Sequence, residues 1–171
     1  GAGVGIELIA HRGRIAYAFQ HLRLHEVPLT GGGSSLRKSE PVMPELLEAS
    51  ERLITALEWN GVAMVEFKLD PHTRDFCLME INGRFWGSLP LAVAAGADFP
   101  SMLLDLELDG EIKPCRPYRN DVYCRLLSRD LQWYEAVLRE DTDTRLAKIP
   151  GIWDVLREMG LFFNLRHRFD V

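Results

Sequence analysis

Cysteine is scarce in this 171-residue chain: Cys77, Cys115 and Cys124 are the only three, and none stands in a CxxC pair or among interleaved histidines. An odd, unpaired set favours neither a disulfide framework nor a zinc site, and it fits a reducing cytoplasm. A basic excess is also lacking. With 20 Lys+Arg against 25 Asp+Glu the net charge is -5, which argues against nucleic acid or an anionic membrane as the main partner. The longest apolar run, Leu89 to Ala97, is far short of the ~20 residues a membrane helix needs, and no charged n-region with an apolar h-region opens the chain. An initiating methionine is missing too; the chain opens on Gly1-Ala2-Gly3-Val4-Gly5 and reads as a cut piece. What remains is 47% hydrophobic and 26% charged, the profile of one soluble globular domain. A folded chain of this length buries roughly 70% of its unfolded surface, enough for a core without staples.

The opening glycines resemble half of a nucleotide fingerprint, but no strand precedes them and no helix follows, so a glycine turn entering a strand is the plainer reading. Val4 to Ala10 and Arg14 to His25 are β-prone runs joined by His11-Arg12-Gly13, which predicts a hairpin. In the second run Tyr17, Phe19, His21, Arg23 and His25 share one face, which becomes cationic toward its end. Thr30 to Ser35, with three consecutive glycines, predicts a flexible loop whose backbone can approach a ligand. Pro44 to Trp59 predicts a helix, with a first-turn proline, early Glu45 and Glu48, and Asn60-Gly61 as its end. Two further helices are expected from Ser88 to Ala95, closed by Gly96, and from Asp98 to about Leu108. The tail predicts a strand at Asp121 to Leu127 and helices at Asp130 to Arg139 and Pro150 to Met159, the last capped by Gly160.

Val62 to Asp70 and Phe76 to Asn82 read as two strands of an antiparallel hairpin, because the five residues between them are too few for a parallel crossover. Met64, Glu66 and Lys68 point to one side of the first strand. Leu78, Glu80 and Asn82 share a face of the second, opposite Cys77, Met79 and Ile81, which makes Cys77 a buried residue. Pairing Asp70 with Phe76 sets Lys68 against Leu78, Glu66 against Glu80 and Met64 against Asn82. Two carboxylates opposed at ~5 Å between Cβ atoms destabilise a sheet unless a cation neutralises them. Two carboxylates with a carboxamide oxygen make a hard-cation donor set suited to Mg²⁺ that keeps coordination positions for phosphates. Arg84 leaves the strand end near the same spot. The plainer alternative is a solvated sheet face with Lys68 as salt-bridge partner, and a four-residue turn would shift the acids out of line.

The segments Gly61-Val-Ala-Met-Val-Glu66-Phe-Lys68 and Leu78-Met-Glu80-Ile-Asn82-Gly-Arg84-Phe-Trp-Gly resemble the ATP-grasp superfamily. The resemblance implies that Glu66, Glu80 and Asn82 are metal ligands for Mg²⁺, with Mn²⁺ as a substitute. It implies that Arg84 is the catalytic contact to the transferred phosphoryl group or acyl phosphate. His21 to Pro28 with Gly31-Gly-Gly-Ser-Ser35 resembles the preceding strand and glycine loop of the carbamoyl-phosphate-synthetase-like branch. His21, Arg23, Ser34, Ser35 and Lys68 are accordingly the expected ATP-binding residues. The residues themselves leave His21, Arg23 and His25 open between phosphate contact, acid-base work and exposed decoration, and Ser34 and Ser35 open between an anion cradle and a mobile linker. Trp86 and Phe85 read more readily as core than as pocket wall.

The expected fold is α+β, an antiparallel sheet with helices packed on one face and its other face walling an ATP cleft. It corresponds to the C-terminal subdomain of an ATP-grasp fold. Residues 1–110 would be the C-terminal part of that domain, and 111–171 an α/β extension packed on it. The implied activity is a carboxylate–amine (or thiol) ligase in which ATP phosphorylates a small-molecule carboxylate and a nucleophile attacks the acyl phosphate. The N-terminal ATP-grasp subdomain would precede Gly1, so this piece alone should not turn over. Two other classes stay open: a non-catalytic nucleotide-binding or interaction module, and a metal-dependent phosphohydrolase. Oligomeric state, a homodimer included, is not legible.

Overall fold

The computed structural model of the chain describes residues 1–113, 116–139, 150–160 and 167–170. β1 (Ala2–His11) and β2 (Arg14–Val27) form the expected hairpin. Its turn residues Arg12 and Gly13 both take positive φ, 51° and 72°, the pair a two-residue turn needs to match strand twist. The expected loop is shorter than Thr30 to Ser35, because Gly33–Glu40 is a strand, β3, paired antiparallel to β2. No strand signal marks this polar stretch. Its inward residues Ser35, Arg37 and Ser39 are buried and bonded to Asp130, the Gly87 carbonyl and the Arg119 carbonyl.

α1 (Pro44–Ala56) stops three residues before Trp59. Glu58 turns to a φ of 46°, and the Trp59 indole packs against Gly83, where a Cβ would meet it. β4 (Gly61–Leu69) and β5 (Phe76–Asn82) are the expected antiparallel hairpin. α2 (Leu89–Ala95) and α3 (Phe99–Asp109) follow, with Asp98 Oδ1 accepting from Ser101 N at 3.2 Å and Gly96 and Gly110 closing them in the left-handed region. The tail holds β6 (Tyr123–Leu126), α4 (Leu127–Leu138), α5 (Ile152–Gly160) and β7 (His167–Asp170). α4 begins three residues before Asp130, and Gly160 is the last residue of α5 rather than a cap beyond it. Among the described residues no single helix is long and apolar enough to cross a membrane.

Among the described residues seven strands form one sheet in the order β5-β4-β1-β2-β3-β6-β7, antiparallel throughout except for the parallel pair β6–β7. The segment after 110 therefore extends the same sheet. Helices cover both faces rather than one. α1 packs Leu46, Ala49 and Ile54 against Val4, Ile6, Leu8, Ala63, Val65 and Phe67. On the opposite face α2 and α3 pack Leu91, Ala92, Ala95, Phe99 and Met102 against Ile9, Phe19, Val62 and Met64. β1 and β4 alternate between these two cores. α2 and α3 cover only part of their face, and the sheet beyond Met64 stays open as a cleft.

At the β2–β3 end α4 closes the sheet with a buried polar network. His25 stacks on Trp133, ring centroids 3.5 Å apart and 4° from parallel, and its Nδ1 lies 2.7 Å from Asp130 Oδ1. Ser35 Oγ donates to the same oxygen at 3.0 Å, and Arg125 pairs with Asp130 Oδ2. Burial pushes the Asp130 carboxyl up, but the His25 hydrogen bond and charge, Arg125 and Ser35 outweigh it and hold the group below its ordinary 3.8. A depressed folded value means that the stability supplied by this carboxylate is present above pH 3.8 and is lost as the pH falls through the folded value. Replacing Asp130 with Asn removes the carboxylate paired with the buried Arg125 charge, an expected loss of roughly 3–5 kcal/mol in urea unfolding at pH 7. The gap to wild type should narrow only below pH 3.8; a gap that does not change with pH would mean that charge is not what Asp130 supplies.

Candidate active site

The floor of the cleft is the backbone of β1. Gly3 and Gly5 lie inside this strand, not in a turn ahead of it, and both face the open side. A Cβ on Gly5 would overlap the His21 ring, 2.8 Å from Nδ1; one on Gly3 would lie 2.8 Å from Arg23 Cδ and from Glu26 Oε1. With no side chains there, groups from β2 reach across to β4. Arg23 Nη2 meets Glu66 Oε2 at 2.5 Å. Its Nη1 donates to Glu26 Oε1 at 3.3 Å and to the Gly32 carbonyl at 3.1 Å, and Glu26 Oε2 takes Lys68 Nζ at 3.0 Å. Acids and bases thus alternate along one chain, Glu66–Arg23–Glu26–Lys68, over bare backbone.

Glu66 stands directly opposite Glu80, and Met64 opposite Asn82. The rest of the expected register is corrected by a bulge at Met79: Phe67 faces Leu78, Lys68 faces Cys77 and Leu69 faces Phe76. One extra residue on β5 flips everything before it to the other face. Leu78 therefore leaves the acid face, Met79 projects into the cleft, and Cys77 is exposed beside Lys68 instead of buried. Cys124 is a free, buried thiol, and Cys115 lies outside the described residues. Asn82 Nδ2 donates to Glu80 Oε1 at 2.7 Å, and Arg84, exposed, donates from Nη1 to the Phe85 carbonyl at 3.0 Å.

The cleft is an open cavity of about 770 Å³ that brings together His21, Arg23, Ser34, Glu66, Lys68, Glu80, Asn82 and Arg84. Ser35 is corrected: it is fully buried on Asp130 and does not line the cleft. His25 is likewise buried, beneath Trp133. His21 borders the cleft but is only 1% exposed, turned inward onto Glu7. Trp86 is both core and wall, packed edge-on to Phe99 at 5.3 Å and lining the cleft. Ser34 Oγ donates to the Leu36 carbonyl at 3.0 Å. Among the described residues no group of three His, Cys, Asp or Glu side chains is placed to hold a metal. The donors present are two carboxylates and a carboxamide, an all-oxygen set that fits a hard cation sharing its sphere with phosphate and water.

Sequence reasoning missed Glu7, Glu26, Arg37, Ser88 and Arg129. Arg37 and Arg129 add cations to the cleft, Arg129 from the first turn of α4 against Gly33. Glu7 carried a readable signal. In Gly3-Val-Gly-Ile-Glu7 every second residue is not apolar, which marks the functional face of an otherwise hydrophobic strand.

An α+β sheet whose open strip joins opposed acids, an asparagine and arginines is the C-terminal subdomain of an ATP-grasp domain. More narrowly, the chain belongs to the family described as ATP-grasp in the biosynthetic pathway with Ter operon, whose model matches residues 1–128. No curated protein matches it by sequence. Similar solved structures include a biotin carboxylase–βγ-ATP complex from Campylobacter jejuni, with 14% identity and a TM-score of 0.57 over 71% of this chain and 28% of that one. The phosphoribosylaminoimidazole carboxylase ATPase subunit from Aquifex aeolicus is 20% identical with a TM-score of 0.56, over 71% of this chain and 38% of that one. Pyruvate carboxylase from Rhizobium etli is 16% identical with a TM-score of 0.57, over 71% and 13%. At these identities the likeness is one of fold, and the chain spans well under half the length of each.

The glycine floor can be tested directly. Gly5→Ala forces the rigid His21 ring aside and should destabilise the chain by about 1–3 kcal/mol. Gly3→Ala, which meets the flexible arms of Arg23 and Glu26, should lose less. Urea unfolding of the two variants that ranked them the other way would refute this account of the floor.

Proposed function

We propose that this chain forms the metal- and phosphate-gripping wall of an ATP-dependent ligase that joins a small-molecule carboxylate to an amine or, less often, a thiol. Glu66, Glu80 and Asn82 would hold Mg²⁺, or Mn²⁺, against the ATP phosphates. When bound, that ion would neutralise charge on phosphate oxygens, the main contribution a protein site can make to phosphoryl transfer. Arg84 carries a fixed positive charge from the β5 end to the transferred group. Arg23 and Lys68, already held by carboxylates, orient phosphate oxygens, and Ser34 lines the glycine loop that meets them. An N-terminal ATP-grasp subdomain would close the cleft from the other side.

The observation that supports this reading most directly is the Glu66–Glu80 pairing inside an open cleft. Opposed carboxylates are unfavourable on a sheet, and here each is kept tolerable by a donor, Arg23 for Glu66 and Asn82 for Glu80. A merely solvated face would not gather Arg23, Lys68 and Arg84 around such a pair. With the acyl phosphate formed, attack by the nucleophile would release phosphate, and ADP and phosphate would leave.

In the full-length ligase, Glu80→Gln and Arg84→Ala should each lower Mg²⁺-dependent ADP release by about 10²–10³-fold. Mn²⁺ bound with ADP, followed by electron paramagnetic resonance, should be weakened by Glu80→Gln and left in place by Arg84→Ala. Unchanged ADP release in both variants would end the ligand assignment. ADP release that needs no acceptor would turn the reading toward a phosphohydrolase.

A further inference from the structure

Beneath the cleft lies a buried cluster that the metal and phosphate assignments do not use. Glu7, on the central strand β1, is fully buried, and His21 and Ser88 are 1% and 5% exposed. His21 Nδ1 lies 2.9 Å from Glu7 Oε1, and Ser88 Oγ donates to that same oxygen at 2.5 Å. Glu7 Oε2 is buried without a hydrogen-bond partner among the described residues. His21 and Ser88 border the cleft from below. We propose that Glu7 and His21 form a proton-accepting dyad in which His21 takes the proton from the amine nucleophile and Glu7 positions it. This rests on the ligase reading above.

Three observations carry the assignment. First, a carboxylate on Nδ1 keeps the hydrogen on that nitrogen and leaves Nε2 as the basic atom of a ring that borders the cleft. Second, the chain gives up a side chain at Gly5 to admit this ring, and a buried polar pair kept only for packing could be replaced by apolar residues without loss. Third, register fixes the distance scale: His21 on β2 and Glu66 on β4 both stand opposite Gly5. Their backbones are two strand spacings, ~10 Å, apart, and the His21 ring leans over Gly5 between them, which sets the base beside the metal-ligating side of the cleft.

The step balances without further reagents. The amine nitrogen attacks the acyl carbon and the C–N bond forms. The C–O bond to the phosphoryl group breaks, and phosphate leaves with the electron pair. The N–H proton passes to His21 Nε2 while Nδ1–H stays on Glu7. The substrate class is therefore an amine that reaches the cleft floor as a free base or sheds its proton there. Glu7 touches no substrate and acts only through His21.

Two measurements test the dyad. Long-range ¹⁵N NMR of the 171-residue chain at neutral pH should show His21 with Nδ1–H and a bare Nε2. Glu7→Gln, whose amide oxygen still accepts, should keep that tautomer, and Glu7→Leu should lose it. An Nε2–H tautomer in wild type would overturn the dyad, whatever the fate of the ligase reading. The full-length ligase is then given MgATP, pooled carboxylates and one of two acceptors: hydroxylamine, unprotonated at neutral pH, or methylammonium, which must lose a proton. His21→Gln should lower the ratio of N-methylamide to hydroxamate by roughly 10²-fold, the contribution of a general base. An unchanged ratio overturns the dyad and leaves the ligase reading standing. A wild type that forms no hydroxamate and no ADP overturns the ligase reading, and the base role with it.

Discussion

Contact between Arg23 and Glu66 across a strand that offers no side chain between them is the interaction on which this molecule's cleft depends. Arg23 sits on β2 and Glu66 on β4, two strands apart, and their 2.5 Å contact is geometrically available only because β1 presents Gly3 and Gly5 to that face. The same bare backbone lets Lys68 reach Glu26 from the opposite direction. A partly buried chain of alternating charge is far less screened than a surface pair. It holds an acidic couple, Glu66 and Glu80, in a register that would otherwise repel.

The rest of the fold is arranged around keeping that strip open. The two cores are built by strict alternation along β1 and β4, with α1 on one side and α2 and α3 on the other. α2 and α3 stop at Met64 and Trp86, and α4 clamps the far end through Asp130, so the uncovered sheet lies between two anchored walls. α4 also brings Arg129 to the rim, from just past the segment that matches the family. The extension after residue 110 is thus continuous with the sheet and contributes to the cleft.

Legibility followed the physical signal available. The β1–β2 and β4–β5 hairpins were readable because apolar alternation and short glycine- or proline-bearing turns are local properties. The Glu66–Glu80 pairing was expected from an Asp70–Phe76 register; the strands instead pair Leu69 with Phe76, and the bulge at Met79 brings the two acids back into opposition. β3 was not readable, because all its buried residues but Leu36 are polar, Ser35, Arg37 and Ser39, whose burial is made tolerable by partners 50 to 95 residues away. Ser35 failed as a phosphate contact for that reason: its neighbour Asp130 is invisible in the local sequence. Cys77 was misplaced by one bulge, since no residue type near Met79 announces an extra position, yet it inverts the faces of the strand before it.

Local chemistry along the chain was enough to settle most of the element types, the two hairpins and the membership of an ATP-grasp family. These follow from side-chain period and motif, which need only neighbouring residues. Which cations answer those acids, that helices occupy both faces, and that Glu7, His21 and Ser88 converge under the cleft were decided by packing in three dimensions. Such contacts join residues as far as 81 positions apart, and a charge's partner is selected by burial and strand order, neither of which any short stretch of sequence contains.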